Sequence, residues 1–119
     1  MNYLAHIFLS GNNRKVQIGN FVGDAVKGRT YENYPSGFRE GILLHREIDH
    51  YTDHHPVVRE AIDMLRGDFG RYSGVLTDIY FDHLLARDFR RYSGRSLRWF
   101  ACGFYGALVL NYRHLPERF

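Results

Sequence analysis

No stretch of this sequence alternates apolar and polar residues strictly enough to make a half-buried strand, and that limits its folding choices more than any other feature. Breaks fall at Ser10-Gly11-Asn12-Asn13, Lys27-Gly28-Arg29, Tyr34-Pro35-Ser36-Gly37, His55-Pro56, Gly67-Asp68-Phe69-Gly70, Tyr92-Ser93-Gly94 and Leu115-Pro116. Between them the apolar residues recur at helical period. The spacing predicts helices near 2–9, 14–27, 36–53, 56–66, 73–91 and 96–113. Pro35 and Pro56 suit the first turn of a helix, where a missing N–H costs nothing. The fold class is therefore all-α, a compact helical bundle. A chain of 119 residues makes one domain, 1–119, large enough for a single core. Its 45% hydrophobic and 16% aromatic content supplies that core and excludes a disordered chain.

Three of these helices carry carboxylates where the pattern calls for apolar residues. Positions four apart on a helix differ by about 40°. His45, Asp49 and Asp53 therefore share one arc, on the rim of a face formed by Leu44, Ile48 and Tyr51 that should meet the core. His50, His54 and His55 fall elsewhere and read as solvated. The run Val75-Leu76-Thr77-Asp78-Ile79-Tyr80-Phe81-Asp82-His83-Leu84-Leu85 is apolar on nearly every side, which predicts burial and turns Asp78 and Asp82 into protein. Asp24 interrupts another apolar helix, where Gly19 and Gly23 permit close approach of a neighbour. An unpaired buried carboxylate must find a cation, a donor or a proton. Each helix alone has a structural explanation: an i,i+4 His–Asp pair, Arg or Tyr donors for Asp78, a helix cap for Asp24. Together they point to convergence on one cation. Carboxylate with imidazole is a ligand set for Mn²⁺, Mg²⁺ or Fe²⁺, and bundle cores host such sites.

The remaining features exclude more than they assign. The single cysteine, Cys102, rules out an internal disulfide and, within Trp99-Phe100-Ala101-Cys102-Gly103-Phe104, reads as a buried inert thiol. No signal peptide and no membrane-length apolar run is evident, so a cytoplasmic protein is expected. The net charge is +3, and every basic residue except Lys15 and Lys27 is Arg. That bias fits an anionic partner, and equally a GC-rich genome. The densest cluster is Arg87, Arg90, Arg91, Arg95 and Arg98. No nucleic-acid motif accompanies it.

Several blocks together resemble the acyl carrier protein phosphodiesterase family. They are Met1-Asn2-Tyr3-Leu4-Ala5-His6, Ile18-Gly19-Asn20-Phe21-Val22-Gly23-Asp24, Gly41-Ile42-Leu43-Leu44-His45-Arg46-Glu47-Ile48-Asp49 with Thr52-Asp53 and His55-Pro56, and Gly74-Val75-Leu76-Thr77-Asp78 with Asp82-His83. The resemblance runs from residue 1 to about 90 in the family's order. It implies an all-helical fold distantly similar to HD-domain phosphohydrolases. The implied activity is removal of the 4′-phosphopantetheine arm from holo-acyl carrier protein, with a divalent metal, typically Mn²⁺. By matching position it implies Asp24, His45, Asp49 and Asp78 as metal ligands, with Asp82, His83 and His6 as supporting or acid–base residues. Family members continue beyond the equivalent of Leu115-Pro116-Glu117-Arg118-Phe119, so a shortened chain is implied.

On that reading Arg46, beside the ligand row, would reach the phosphate, and an Arg-rich rim would favour an acidic carrier protein. Two other readings fit the same residues. One is a hydrolase of a different phosphoester, such as a nucleotide. The other is a non-catalytic helical module that binds an acidic partner. Aromatic surface around Trp99, Phe100, Phe104 and Tyr105 points to packing on a further segment or on a second copy as a homodimer. Neither nucleic acid nor membrane is an expected partner.

Overall fold

Helix-starting side chains stand where the breaks fall. A computed structural model of the chain describes residues 1–116, in which the helices are α1 (Tyr3–Leu9), α2 (Arg14–Phe21), α3 (Ser36–Asp53), α4 (Pro56–Phe69), α5 (Ser73–Arg87), α6 (Phe89–Ser93) and α7 (Leu97–Leu110). Asn13 opens α2 by accepting the Lys15 and Val16 amides, and Ser96 opens α7 by accepting that of Trp99. Pro35 precedes α3, and Pro56 fills the first turn of α4. Short 3₁₀ turns follow α2, α4 and α7, and another precedes α3. There is no strand among the described residues. No helix there is long and apolar enough to cross a membrane.

The tightest packing joins α2 to α3. Ile18, Phe38 and Ile42 are buried in the seam. A Cβ on Gly19 would fall 2.1 Å from the Phe38 carbonyl oxygen, and one on Gly41 would fall 2.2 Å from that of Val16. Those atoms are backbone, so only glycine fits at either position. Aromatic rings extend the core outward from this seam. Phe21 meets Phe104 at 5.1 Å, and Phe89 sits between Phe8 at 5.4 Å and Phe100 at 4.9 Å. The whole is a slab 43 × 35 × 21 Å.

Several expectations need correction. The predicted helix over 14–27 stops at Phe21, and Asp24 lies on the 3₁₀ turn Gly23–Ala25. The predicted helix over 73–91 breaks at Asp88, so that α6 can turn the buried Phe89 under Phe8 and Phe100. Residues 96–113 likewise yield a helix only to Leu110, while α4 runs three residues past its predicted end, to Phe69. On α3 the core face is Phe38, Gly41, Ile42 and His45, whereas Tyr51 is exposed. His45 is thus at the centre of the buried face rather than on its rim. The apolar α5 is not enclosed: Val75, Ile79 and Tyr80 are exposed, and its buried residues are Ser73 and Thr77. Cys102 is exposed as well.

Candidate metal centre

Glycine makes room for the first imidazole. A Cβ on Gly23 would lie 2.4 Å from the His45 ring, so the bare backbone of the 3₁₀ turn is what lets His45 stand against it. The His45 Nδ1–H donates to the Asn20 carbonyl at 2.8 Å, and a carbonyl only accepts. In the neutral ring this leaves a bare lone pair on Nε2. That lone pair faces Asp24 Oδ1 at 3.0 Å and Asp49 Oδ2 at 3.2 Å. Acceptors facing acceptors repel unless a proton or a cation lies between them. The arrangement therefore demands positive charge at that point.

The second imidazole is His6, on α1. Its ring stacks on His45 with centroids 3.9 Å apart and planes 15° from parallel, and its Nε2 lies 3.0 Å from Asp49 Oδ1. His6, His45 and Asp49 each offer a ligand atom within 4.8 Å of the others, a set that can hold a metal ion. His6 is 2% exposed, and its Nδ1 is buried with no hydrogen-bond partner among the described residues. Asp24, by contrast, is 74% exposed on its side chain, which corrects the inward placement expected of it and puts it at the mouth of the cluster.

Asp78 joins from α5 through a different cation. The Met1 ammonium lies 3.2 Å from Asp49 Oδ1 and 3.3 Å from Asp78 Oδ1. Burial opposes the ammonium's charge, but Asp78 and Asp49 outweigh it and raise its pKa. Burial also raises the Asp78 carboxyl, ahead of the opposing ammonium. For Asp49, burial alone would raise the pKa. Its bonds to His45 and His6 prevail and hold the carboxyl well below the usual carboxylate range. His45 is desolvated, yet Asp49 and Asp24 raise its pKa above the ordinary histidine value.

The other predicted residues have separate occupations. Asp82 accepts the Leu4 amide at 2.8 Å and the Ala5 amide at 2.9 Å, so it caps α1 from across the molecule. Through that cap it positions His6, the next residue along α1. Arg46 donates to the Val26 and Gly28 carbonyls and lies over Tyr31, pinning the segment that follows Asp24. His83 is exposed, its ring 6.4 Å from that of Tyr80. Asp53 is exposed, and its charge contributes to raising Asp78. The structure thus brings together Asp24, His45, Asp49 and Asp78, and adds His6 at the centre. The family resemblance implies His6 only as a supporting or acid–base residue. Asn20 was missed altogether. Fully buried, it accepts from His45 on its carbonyl and donates its side-chain amide to the His6 carbonyl at 2.9 Å and to Ser10 Oγ at 2.7 Å.

Comparison with known proteins bears on what such a cluster does. The family model described as acyl carrier protein phosphodiesterase matches residues 1–119. A Yersinia pestis protein named acyl carrier protein phosphodiesterase is 38% identical over 87 residues, covering 73% of this chain and 45% of its own length. Proteins of the same name from Salmonella agona and Salmonella newport are 38% identical over 93 residues, covering 78% of this chain and 48% of theirs. The chain spans about half the length of these curated relatives. No solved structure matches it.

Proposed function

The chain belongs to the acyl carrier protein phosphodiesterase family, and we propose that it is a divalent-metal-dependent hydrolase that releases 4′-phosphopantetheine from holo-acyl carrier protein. The observation that carries this reading is the Nε2 of His45 facing two carboxylates beside the His6 ring. His6, His45 and Asp49 would hold the ion, with Asp24 at the mouth and Asp78 closing the α5 side. Nitrogen and oxygen donors without thiolate favour Mn²⁺, with Mg²⁺ or Fe²⁺ as substitutes. The chemistry such an ion supplies is activation of water and neutralisation of charge on a phosphoryl oxygen.

The chain's own groups do the rest. Asn20 fixes the His45 tautomer through Nδ1 and so keeps Nε2 turned to the cluster. Asp24, exposed and 3.0 Å from that nitrogen, is the carboxylate placed to take a proton from water at the mouth. Asp82 holds α1, and with it His6, in register. Arg90, Arg91 and Arg98 are exposed and supply positive surface for an acidic carrier protein, whereas Arg87 is paired with Asp88 at 3.0 Å. The distant likeness to HD-domain hydrolases belongs to the same proposal.

The test incubates holo-acyl carrier protein with this chain and Mn²⁺ and follows loss of the phosphopantetheine arm by mass spectrometry. The expected result is mass loss that disappears in His45→Ala and Asp49→Ala. Absence of both mass loss and stoichiometric metal binding would defeat the proposal. Cleavage that survives both substitutions would remove the site from it.

A further inference from the structure

A cavity of about 510 Å³ opens at the C-terminal end of α1, beside Phe8, and shares no residue with the histidine–carboxylate cluster. That volume is in the range of small-molecule sites. Its walls include Phe8, Phe100 and Trp99, its polar groups include Arg14, Gln17 and Arg95, and no acidic residue lines it. We propose that this cavity binds a small organic oxyanion, a phosphomonoester or carboxylate carried on an apolar body.

Both guanidiniums are held in place before any ligand arrives. Arg14 Nη1 donates to Gln17 Oε1 at 3.0 Å, and Gln17, 2% exposed, donates its own amide to the Gly11 carbonyl at 2.6 Å. The far side of Arg14 rests where α7 has no side chain, since a Cβ on Gly103 would lie 2.7 Å from Nη2. Arg95 lies over the Trp99 ring at 4.3 Å. Its backbone is fixed by a reciprocal pair of bonds with Ser93 Oγ around Gly94, whose φ of +76° is left-handed. Among the described residues neither Arg14 nor Arg95 has a carboxylate within ion-pair distance. Two fixed cations in one cavity without a counter-charge are what planar, bidentate recognition of an oxyanion requires. The aromatic walls select an apolar body to go with it.

Trp99 is the sole tryptophan of the chain and lines this cavity, so its fluorescence responds to a ligand bound there. The experiment titrates the full chain, without added metal, with phenyl phosphate, benzoate and neutral benzyl alcohol, and repeats the phosphate arm by calorimetry. The expected result is a saturable response to phenyl phosphate or benzoate, with a dissociation constant on the order of 1 mM or tighter. Which of the two binds more tightly identifies the phosphate or the carboxylate as the recognised group. Arg14→Gln, which leaves Trp99 in place, should weaken binding about tenfold or more, as loss of a charge-assisted bond does. Arg95→Gln should do the same by calorimetry. His45→Ala should leave the affinity unchanged, which separates this cavity from the metal centre. A response no larger than that to benzyl alcohol would overturn the proposal. So would unchanged affinity in Arg14→Gln or Arg95→Gln with a native circular dichroism spectrum.

Discussion

The α2–α3 seam and the exposed faces of α4, α5 and α7 are packed in opposite ways. In the seam, Val16 to Asn20 are buried without interruption, and Gly19 and Gly41 let backbone touch backbone. By contrast α4 has no buried residue, and Met64, Ile79, Tyr105 and Leu110 stand exposed. The lesson concerns where chemistry can be anchored. Two imidazoles can be stacked 3.9 Å apart only on elements with no freedom to shift. The candidate metal centre accordingly hangs from the seam and from α1, while the open helices contribute only Asp78 and the Asp82 cap.

The sharpest way to break this contrast is Gly41→Val. Its Cβ would meet the Val16 carbonyl, and no side-chain rotation relieves a backbone clash. The expected loss exceeds about 4 kcal/mol, enough to unfold a domain of this size at room temperature. Thermal denaturation followed by circular dichroism checks it. A native-like melt would mean that α2 and α3 are not in contact as described.

Ile42→Ala comes next. Ile42 is fully buried beside Val22 and Val26, and truncation should cost about 2–5 kcal/mol by urea denaturation. Asp82→Ala should cost less, about 1–2 kcal/mol, since it removes a cap from one short helix. Its distinguishing effect is on metal affinity. With α1 uncapped, His6 loses its placement, and affinity should fall about tenfold or more while His45→Ala falls further. Equal affinity in Asp82→Ala and the unsubstituted chain would show that α1 needs no help from α5.

These three sites also mark what could be read from the sequence. The bounds of α3 were legible because Pro35 fixes its start, and the four-residue spacing of His45 and Asp49 put both on one side. Gly19 and Gly23 correctly announced close approach. The central place of His6 was not legible, because it depends on a cap supplied from Asp82, far along the chain. Nor could periodicity foretell that α5 would be open. Apolar residues on every side say that a helix wants cover, and not whether cover exists.

Acidity sharpens the contrast more gently. The raised pKa of His45 means that its contribution to stability is complete below about pH 6.5 and is lost as pH rises through the folded value. Asp49, held low, contributes above about pH 4 and loses that contribution as pH falls. Asp78, raised, adds a loss as pH climbs from the acid side, complete once it has ionised. Between pH 6 and 8 the urea midpoint of the metal-free chain should therefore decline, and decline less in His45→Gln. Metal affinity should run the other way, rising with pH as protons leave the ligands. A midpoint that is flat in this range for the unsubstituted chain would mean that His45 does not take up a proton between the two carboxylates.

Met64→Ser on α4 should have the smallest effect. Met64 is 78% exposed, so replacing its thioether with a hydroxyl removes almost no burial and should move stability by less than about 0.5 kcal/mol. The same substitution at a seam position would be ruinous, which is why the pair of measurements is informative. Urea denaturation at two protein concentrations reads both the stability and its dependence on association. A loss well above the expected figure, growing with concentration, would mean that a second copy covers this side in solution. A loss of the same size without concentration dependence would mean that α4 packs more closely than its exposure indicates, and the two regions would then differ in degree rather than in kind.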